Sequence, residues 1–267
     1  MDHQLNNDWR ILTTVIYRKP RDSKIFGSVE FDVTEVEDFV NARRQEGLKI
    51  TLTHIFLLAF ARGMREAAPE INTYVRRGRI ISRNQVDVSL TVLAGRQLTS
   101  VKVVGAERLG LRELSDHLQA EIPKARKMQA AAATPAKNLI VRIPWPLRQW
   151  VFDLIRWLTI DWGIPLPFLG VSPESFGSFV FSNLGSIGLD VGYPALAPYS
   201  NVGMVIIQGS VSTKPAVVDG QIVPRRMITF SAAIDHRVAD AAQVGLLFRY
   251  VRRVVRAPEV LEKPTSG

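Results

Sequence analysis

Ser231-Ala232-Ala233-Ile234-Asp235-His236-Arg237-Val238-Ala239-Asp240-Ala241-Ala242 is the stretch from which the rest of the chain can be read. It closes an alternating run, Met227 to Ile234, that reads as a strand. A charged cluster holding one histidine follows at the strand end. Asp240 stands four residues later, before Val244, Leu247, Phe248, Val251 and Val254, which recur at helical spacing. It reads as the cap of a helix. A strand that ends in a histidine and a helix that starts at an aspartate place a base at the rim of a sheet. Histidine is the usual general base because it titrates near neutrality. The spacing alone favours a plain cap for Asp240 over an orienting role toward His236.

Composition narrows the classes. The chain has 267 residues, of which 46% are apolar, enough for one sizeable domain with a core. Cysteine is absent, which excludes disulfides, thiolate zinc sites and cysteine nucleophiles and fits a reducing, cytoplasmic setting. With four histidines in all, no metal site is expected. The net charge of +9 points to an anionic partner or to a solvated basic surface. The arginines lie in dispersed pairs, no basic run is interleaved with aromatics, and no nucleic-acid partner is expected. Met1-Asp2-His3-Gln4 lacks the apolar core of a signal peptide, and no charge-free stretch has the roughly 20 residues that span a bilayer.

Upstream, Ile25, Gly27, Val29, Phe31 and Val33 alternate with Phe26, Ser28, Glu30 and Asp32, a strand. Thr34-Glu35-Val36-Glu37 reads as a capping box for a helix that stops at Gly47. A helix over 53–68, apolar on most sides, is expected to be buried, with His54 as a half-buried helix residue rather than a ligand. Short elements flank Gly78. Strands over 86–92 and 98–104 form a hairpin at Gly95-Arg96, and a long helix runs from Leu111 to about Ala133. Further strands are expected over 178–182 and 201–211, and a hairpin over 217–223 turns at Asp219-Gly220. This order favours a mixed sheet with helices packed on it, an α+β arrangement, over a doubly wound parallel fold. No glycine-rich phosphate loop occurs.

Residues 138–173 differ from the rest. Trp145, Trp150, Trp157 and Trp162 lie there among prolines and aliphatic residues, interrupted by Arg148, Asp153 and Arg156. Three readings stand open: an amphipathic helix on a membrane surface, a lid or acyl-chain channel beside the active site, or an insertion buried on the body or in a subunit interface.

Two motifs are more specific together than apart. One is Asp235-His236-Arg237 with Asp240; the other is Gly177-Ser178-Phe179-Val180-Phe181-Ser182-Asn183-Leu184-Gly185. They resemble the Asp-His-Arg-x-x-Asp-Gly and Gly-x-Phe-x-Ile-Ser-Asn-Leu-Gly signatures of the dihydrolipoyl acyltransferase catalytic domain of 2-oxoacid dehydrogenase complexes. Pro69-Glu70-Ile71-Asn72 and Val86-Asp87-Val88-Ser89-Leu90 resemble two further segments of that family, and Pro194 and Pro198 fall in its order. Chloramphenicol acetyltransferase shares the fold and the His-x-x-x-Asp-Gly element more distantly.

The resemblance implies a chloramphenicol acetyltransferase-like trimer, or a larger multiple of trimers, with sites between subunits. It implies an acyltransferase in which His236 is the base for an incoming thiol, hydroxyl or amine, Ser182 donates to the oxyanion of the thioester under attack, and coenzyme A enters as a substrate, in the form of an acyl-coenzyme A donor. Asp240 is implied to pair with an arginine of the N-terminal region, for which Arg10 is the candidate. No lipoyl-lysine domain is seen in this sequence, so the expectation is a single, stand-alone catalytic domain over 1–267, served in trans by any lipoyl-bearing partner. Ala241 stands where the family has glycine. If that position needs a close backbone approach or a positive φ, the turn must change, and a trimeric binding or scaffold protein without catalysis becomes the alternative.

Overall fold

The structure is a computed structural model that describes residues 23–95, 97–131, 143–144, 147–197 and 200–265. Trp9, Arg10, Arg96, Trp145 and Pro198 lie outside the described residues.

Strand β1 (Lys24–Asp32) leads into α1 (Thr34–Gln45) and α2 (Leu52–Glu66). A small hairpin follows, β2 (Thr73–Arg76) with β3 (Arg79–Ser82), then β4 (Val88–Ala94), β5 (Gln97–Val103) and α3 (Leu111–Ala131). After α4 (Leu147–Arg156) come β6 (Phe179–Asn183), β7 (Met204–Val218), β8 (Gln221–Asp235) and α5 (Ala241–Arg256). Six strands form one mixed sheet in the order β1-β8-β7-β6-β4-β5. β6 lies parallel to both β4 and β7, and the other pairs are antiparallel. This is the expected mixed sheet with helices on it.

The core lies between the sheet and α2 and α5. Phe230 of β8 is its hub, with ring centroids of Phe56 at 4.2 Å, Phe60 at 5.5 Å, Phe31 at 5.7 Å and Phe181 at 6.2 Å. Helix α2 is buried from Ile55 to Met64, as its all-round apolar pattern requires. Even Arg62 is buried there. Its guanidinium donates to the carbonyls of Leu109, Val260 and Lys263 at 2.7–2.8 Å, which ties the C-terminal turn to the body. Burial lowers the Arg62 pKa from its ordinary value.

Two local expectations need correction. Thr34 does not cap α1; the cap position is Val33. The Thr34 hydroxyl instead donates to Asp32 at 2.7 Å and accepts the Arg226 amide at 3.0 Å, while Glu37 is taken by the Arg226 guanidinium at 2.9 Å. The partners a capping box would use are drawn across to β8. The strands expected over 201–211 and 227–234 are also longer. β7 and β8 form one hairpin that runs to Val218 opposite Gln221, with an irregularity between Gln208 and Val211. Pro215 faces Pro224 in it, and two prolines break the apparent pattern in sequence. The Asp219-Gly220 turn is as expected, with φ of 51° and 77°.

Candidate active site

His236 follows the last residue of β8, and its amide donates to the Ser23 carbonyl at 2.7 Å. Two amides, of Val238 and Ala239, return to the Asp235 carbonyl at 3.1 and 3.2 Å, so the chain turns back sharply. The turn brings the Ala239 carbonyl to 3.1 Å from His236 Nδ1, with an Asp240 carboxylate oxygen at 3.1 Å from the same atom. A carbonyl and a carboxylate can only accept, so Nδ1 carries the proton. The lone pair is then on Nε2, on a half-exposed ring. That is the arrangement a general base needs.

Asp240 has both of the roles its spacing allowed. It faces His236, and it starts α5, with its amide donating to Gln243 at 3.0 Å. Ala241 is the first residue of that helix and is not among the residues with positive φ, so its backbone conformation does not call for glycine. The buried carboxylate of the motif is Asp235, which the sequence reading passed over. Arg237 grips it through Nε at 2.9 and 3.0 Å, and Ser23 donates to it at 3.2 Å. Burial alone would raise its pKa, but the Arg237 hydrogen bonds hold it below the ordinary value. This pair sits directly under His236 in sequence and braces the turn that presents it.

Ser182 lies further along the sheet, near the C-terminal end of β6. It sits in β6 between Thr91 of β4 and Ile207 of β7. Asn183, next along, donates to the Thr53 hydroxyl at 3.0 Å, which donates to buried Gln208 at 3.0 Å. Neither Thr53 nor Gln208 was legible as a site residue, because segments more than 100 residues apart supply them. Ser182 and Asn183 line a cavity of about 560 Å³ with apolar walls from Leu90, Val92, Leu118 and Ile122.

His54 lines the same cavity. The Thr51 amide donates to its Nδ1 at 3.2 Å, and the Thr51 hydroxyl lies 2.9 Å from that atom. Burial pushes the pKa of His54 down from 6.5 to about 4. The ring is therefore neutral at pH 7, with its proton on Nε2. An unfolded chain takes up this proton near pH 6.5 and the folded one only near pH 4. Stability is thus full above pH 6.5 and declines as the pH falls through that window, by on the order of 2–3 kcal/mol at the bottom. His54→Gln should flatten this dependence in urea titrations at stepped pH, and an unchanged slope would refute the assignment.

Ser182 and His236 of one chain cannot meet. Ser182 pairs with Ile207, which pairs with Ser231, and His236 lies five residues beyond Ser231 along the strand. At about 3.4 Å per residue that is roughly 17 Å, with two strand spacings, about 10 Å, across.

The tryptophan-rich segment lies on the His236 side. The Arg77 amide donates to the Asp161 carbonyl at 3.3 Å, and Arg156 pairs with Asp161 at 3.2 Å. Arg156, Ile160 and Asp161 wall a cavity of about 220 Å³ together with Asp235 and Arg237. Ile160 is buried, but Trp150 is 74% and Phe168 75% exposed, so within one chain the segment is not simply interior. No described helix is long and apolar enough to cross a membrane.

The family model for 2-oxoacid dehydrogenases acyltransferase (catalytic domain) matches residues 23–135 and 172–262. The chain belongs to this acyltransferase family. The match breaks over 136–171, so the tryptophan-rich segment is extra to the family's shared pattern. The acetyltransferase component of the acetoin cleaving system of Bacillus subtilis is 24% identical over 221 residues, 82% of this chain and 45% of the relative. The mitochondrial succinyltransferase component of 2-oxoglutarate dehydrogenase complex 1 of Arabidopsis thaliana is 23% identical over 81% of this chain and 38% of the relative. The chain spans less than half the length of these relatives. A probable dihydrolipoamide acetyltransferase from Listeria monocytogenes shares the fold, with a TM-score of 0.65 at 18% identity, over 98% of this chain and 96% of that one. The cubic core of a pyruvate dehydrogenase multienzyme complex aligns at a TM-score of 0.62 with 18% identity, covering 90% of this chain and 84% of that one. A chloramphenicol acetyltransferase aligns at 0.53 with 12% identity, over 94% and 96% of the two chains.

Proposed function

We propose that this acyltransferase-family chain moves an acyl group between coenzyme A and a thiol acceptor, a lipoyl dithiol, at sites shared between the subunits of a trimer. The observation that carries this reading is the separation of Ser182 and His236 within one chain, five residues along the sheet and two strands across. Ser182 lines one cavity, Asp235 and Arg237 on either side of His236 in sequence line another, and the two halves complete each other across a subunit contact.

His236 Nε2 takes the proton of the incoming thiol as its sulfur attacks the thioester carbonyl. The carbonyl electrons move to oxygen, where the Ser182 hydroxyl of a neighbouring subunit donates a hydrogen bond to the oxyanion. When the tetrahedral carbon collapses, the bond to the departing sulfur breaks and His236 returns the proton to it. Ala239 and Asp240 hold Nδ1 throughout, so the imidazolium forms without rotating. The apolar walls of the larger cavity suit the thin, flexible arm of pantetheine or of lipoamide.

Mixing tests the shared site. Ser182→Ala and His236→Ala chains should each be nearly inactive in a dihydrolipoamide acylation assay. Co-refolded in equal amounts, they should regain about one quarter of wild-type turnover, since a site is intact only when the right chain stands on each side. No recovery in correctly sized trimers would rule out a site shared in this way.

A further inference from the structure

The segment that the family pattern skips carries an unpartnered apolar stripe. Leu147, Trp150, Leu154 and Trp157 recur along α4 and the turn after it at a spacing that puts them on one helix face, and they are 57%, 74%, 54% and 45% exposed. The stripe continues into Trp162, whose ring lies 5.4 Å from that of Trp157, and Phe168 is exposed further along.

A basic edge adjoins it. The β2–β3 hairpin turns through Arg76-Arg77-Gly78-Arg79, and Arg77 stacks its guanidinium 4.5 Å over Trp162. Ile80 of β3 is exposed as well. The nearby carboxylates are engaged: Asp161 with Arg156, Glu174 with Arg83 and Arg76, and Asp153 with the Gln149 amide. Among the described residues, neither Arg77 nor Arg79 has a carboxylate partner.

We propose that this face docks the protein on an anionic phospholipid surface, with the indoles at headgroup depth and the hairpin arginines against lipid phosphates. Tryptophan, leucine and phenylalanine beside arginine are the composition such an interface selects. Helix α4 has 10 residues, about 15 Å, so it lies on a bilayer and does not cross it. Arginines without a carboxylate partner beside exposed indoles match the phosphates and headgroup region of such a surface. The same segment walls the cavity beside Arg237, so docking holds that cavity close to the lipid.

The test is sedimentation of the full chain with vesicles of phosphatidylcholine, with and without phosphatidylglycerol, at low salt. Binding is expected with the anionic vesicles, accompanied by a blue shift in tryptophan emission. Arg77→Gln and Arg79→Gln should each weaken partition roughly fivefold, and the Trp150→Ala/Phe168→Ala pair roughly tenfold or more. Acyl transfer without vesicles should not change in any of these variants. Failure of the wild type to bind anionic vesicles overturns the proposal, and so does binding that the variants fully retain. A change of oligomeric state in the Trp150→Ala/Phe168→Ala variant without vesicles also overturns it, and identifies the face as a contact between copies.

Discussion

Alanine in place of His236 is expected to lower acyl-transfer turnover by about 10²–10⁴-fold, the usual contribution of a positioned general base. The fold should be unaffected. The ring is half exposed, and the Asp235–Arg237 pair that shapes the turn does not depend on it. A urea midpoint within about 0.5 kcal/mol of wild type is therefore expected alongside the lost activity. His236→Asn separates proton transfer from shape. Its side-chain amide can still satisfy the Ala239 carbonyl, yet it offers no basic nitrogen, so it should be as inactive as the alanine variant. Full turnover by either variant, measured as release of coenzyme A thiol, would remove His236 from the mechanism.

The second large effect concerns folding. Phe230→Ala should destabilise the chain by about 3–5 kcal/mol, since Phe230 is fully buried. It touches rings from β1, β6 and α2, so no single neighbour can move in to fill the space. A loss of that size is a large share of the roughly 5–15 kcal/mol that holds a typical domain together. Phe230→Leu fills most of the volume and should cost much less. The measurement is chemical unfolding of the assembled protein at fixed concentration. A cost under about 1 kcal/mol for the alanine variant would mean that the sheet and helices can close over the gap.

The local grammar of the chain was legible. Period-two alternation located β1 and the core of β8, the Asp-Gly pair marked the tip of the β7–β8 hairpin, and Asp240 starts α5. The composition of residues 138–173 marked the segment that the family pattern omits at 136–171. Illegible features were those made by distant partners. Parallel pairing of β6 with β4 and β7 joins segments with long connections between them, and no short-range signal records it. From sequence, Ser182 and His236 could each be placed at a strand end, but how far apart they stand in the shared sheet follows only from that topology. The same holds for the Asn183–Thr53–Gln208 chain and for His54, a helix-start residue that shares its cavity with Ser182. Of the two aspartates of the motif, the spacing points to Asp240, while the buried one is Asp235; burial is not written in spacing.

The outer half of the β7–β8 hairpin extends past the reach of its neighbours. β6 pairs with β7 only as far as Gln208, and β1 pairs with β8 only from Met227, so beyond these points two strand edges have no neighbouring strand among the described residues. An open edge is a template on which another chain can add a strand, the first step toward fibre growth. Pro215 and Pro224 face each other on this arm. Opposed prolines are tolerated only where the missing amides would have pointed outward, so each removes a donor from an outer edge. The prolines that hid the full length of these strands in the sequence are thus what lets a long, exposed ribbon stay single in a concentrated solution.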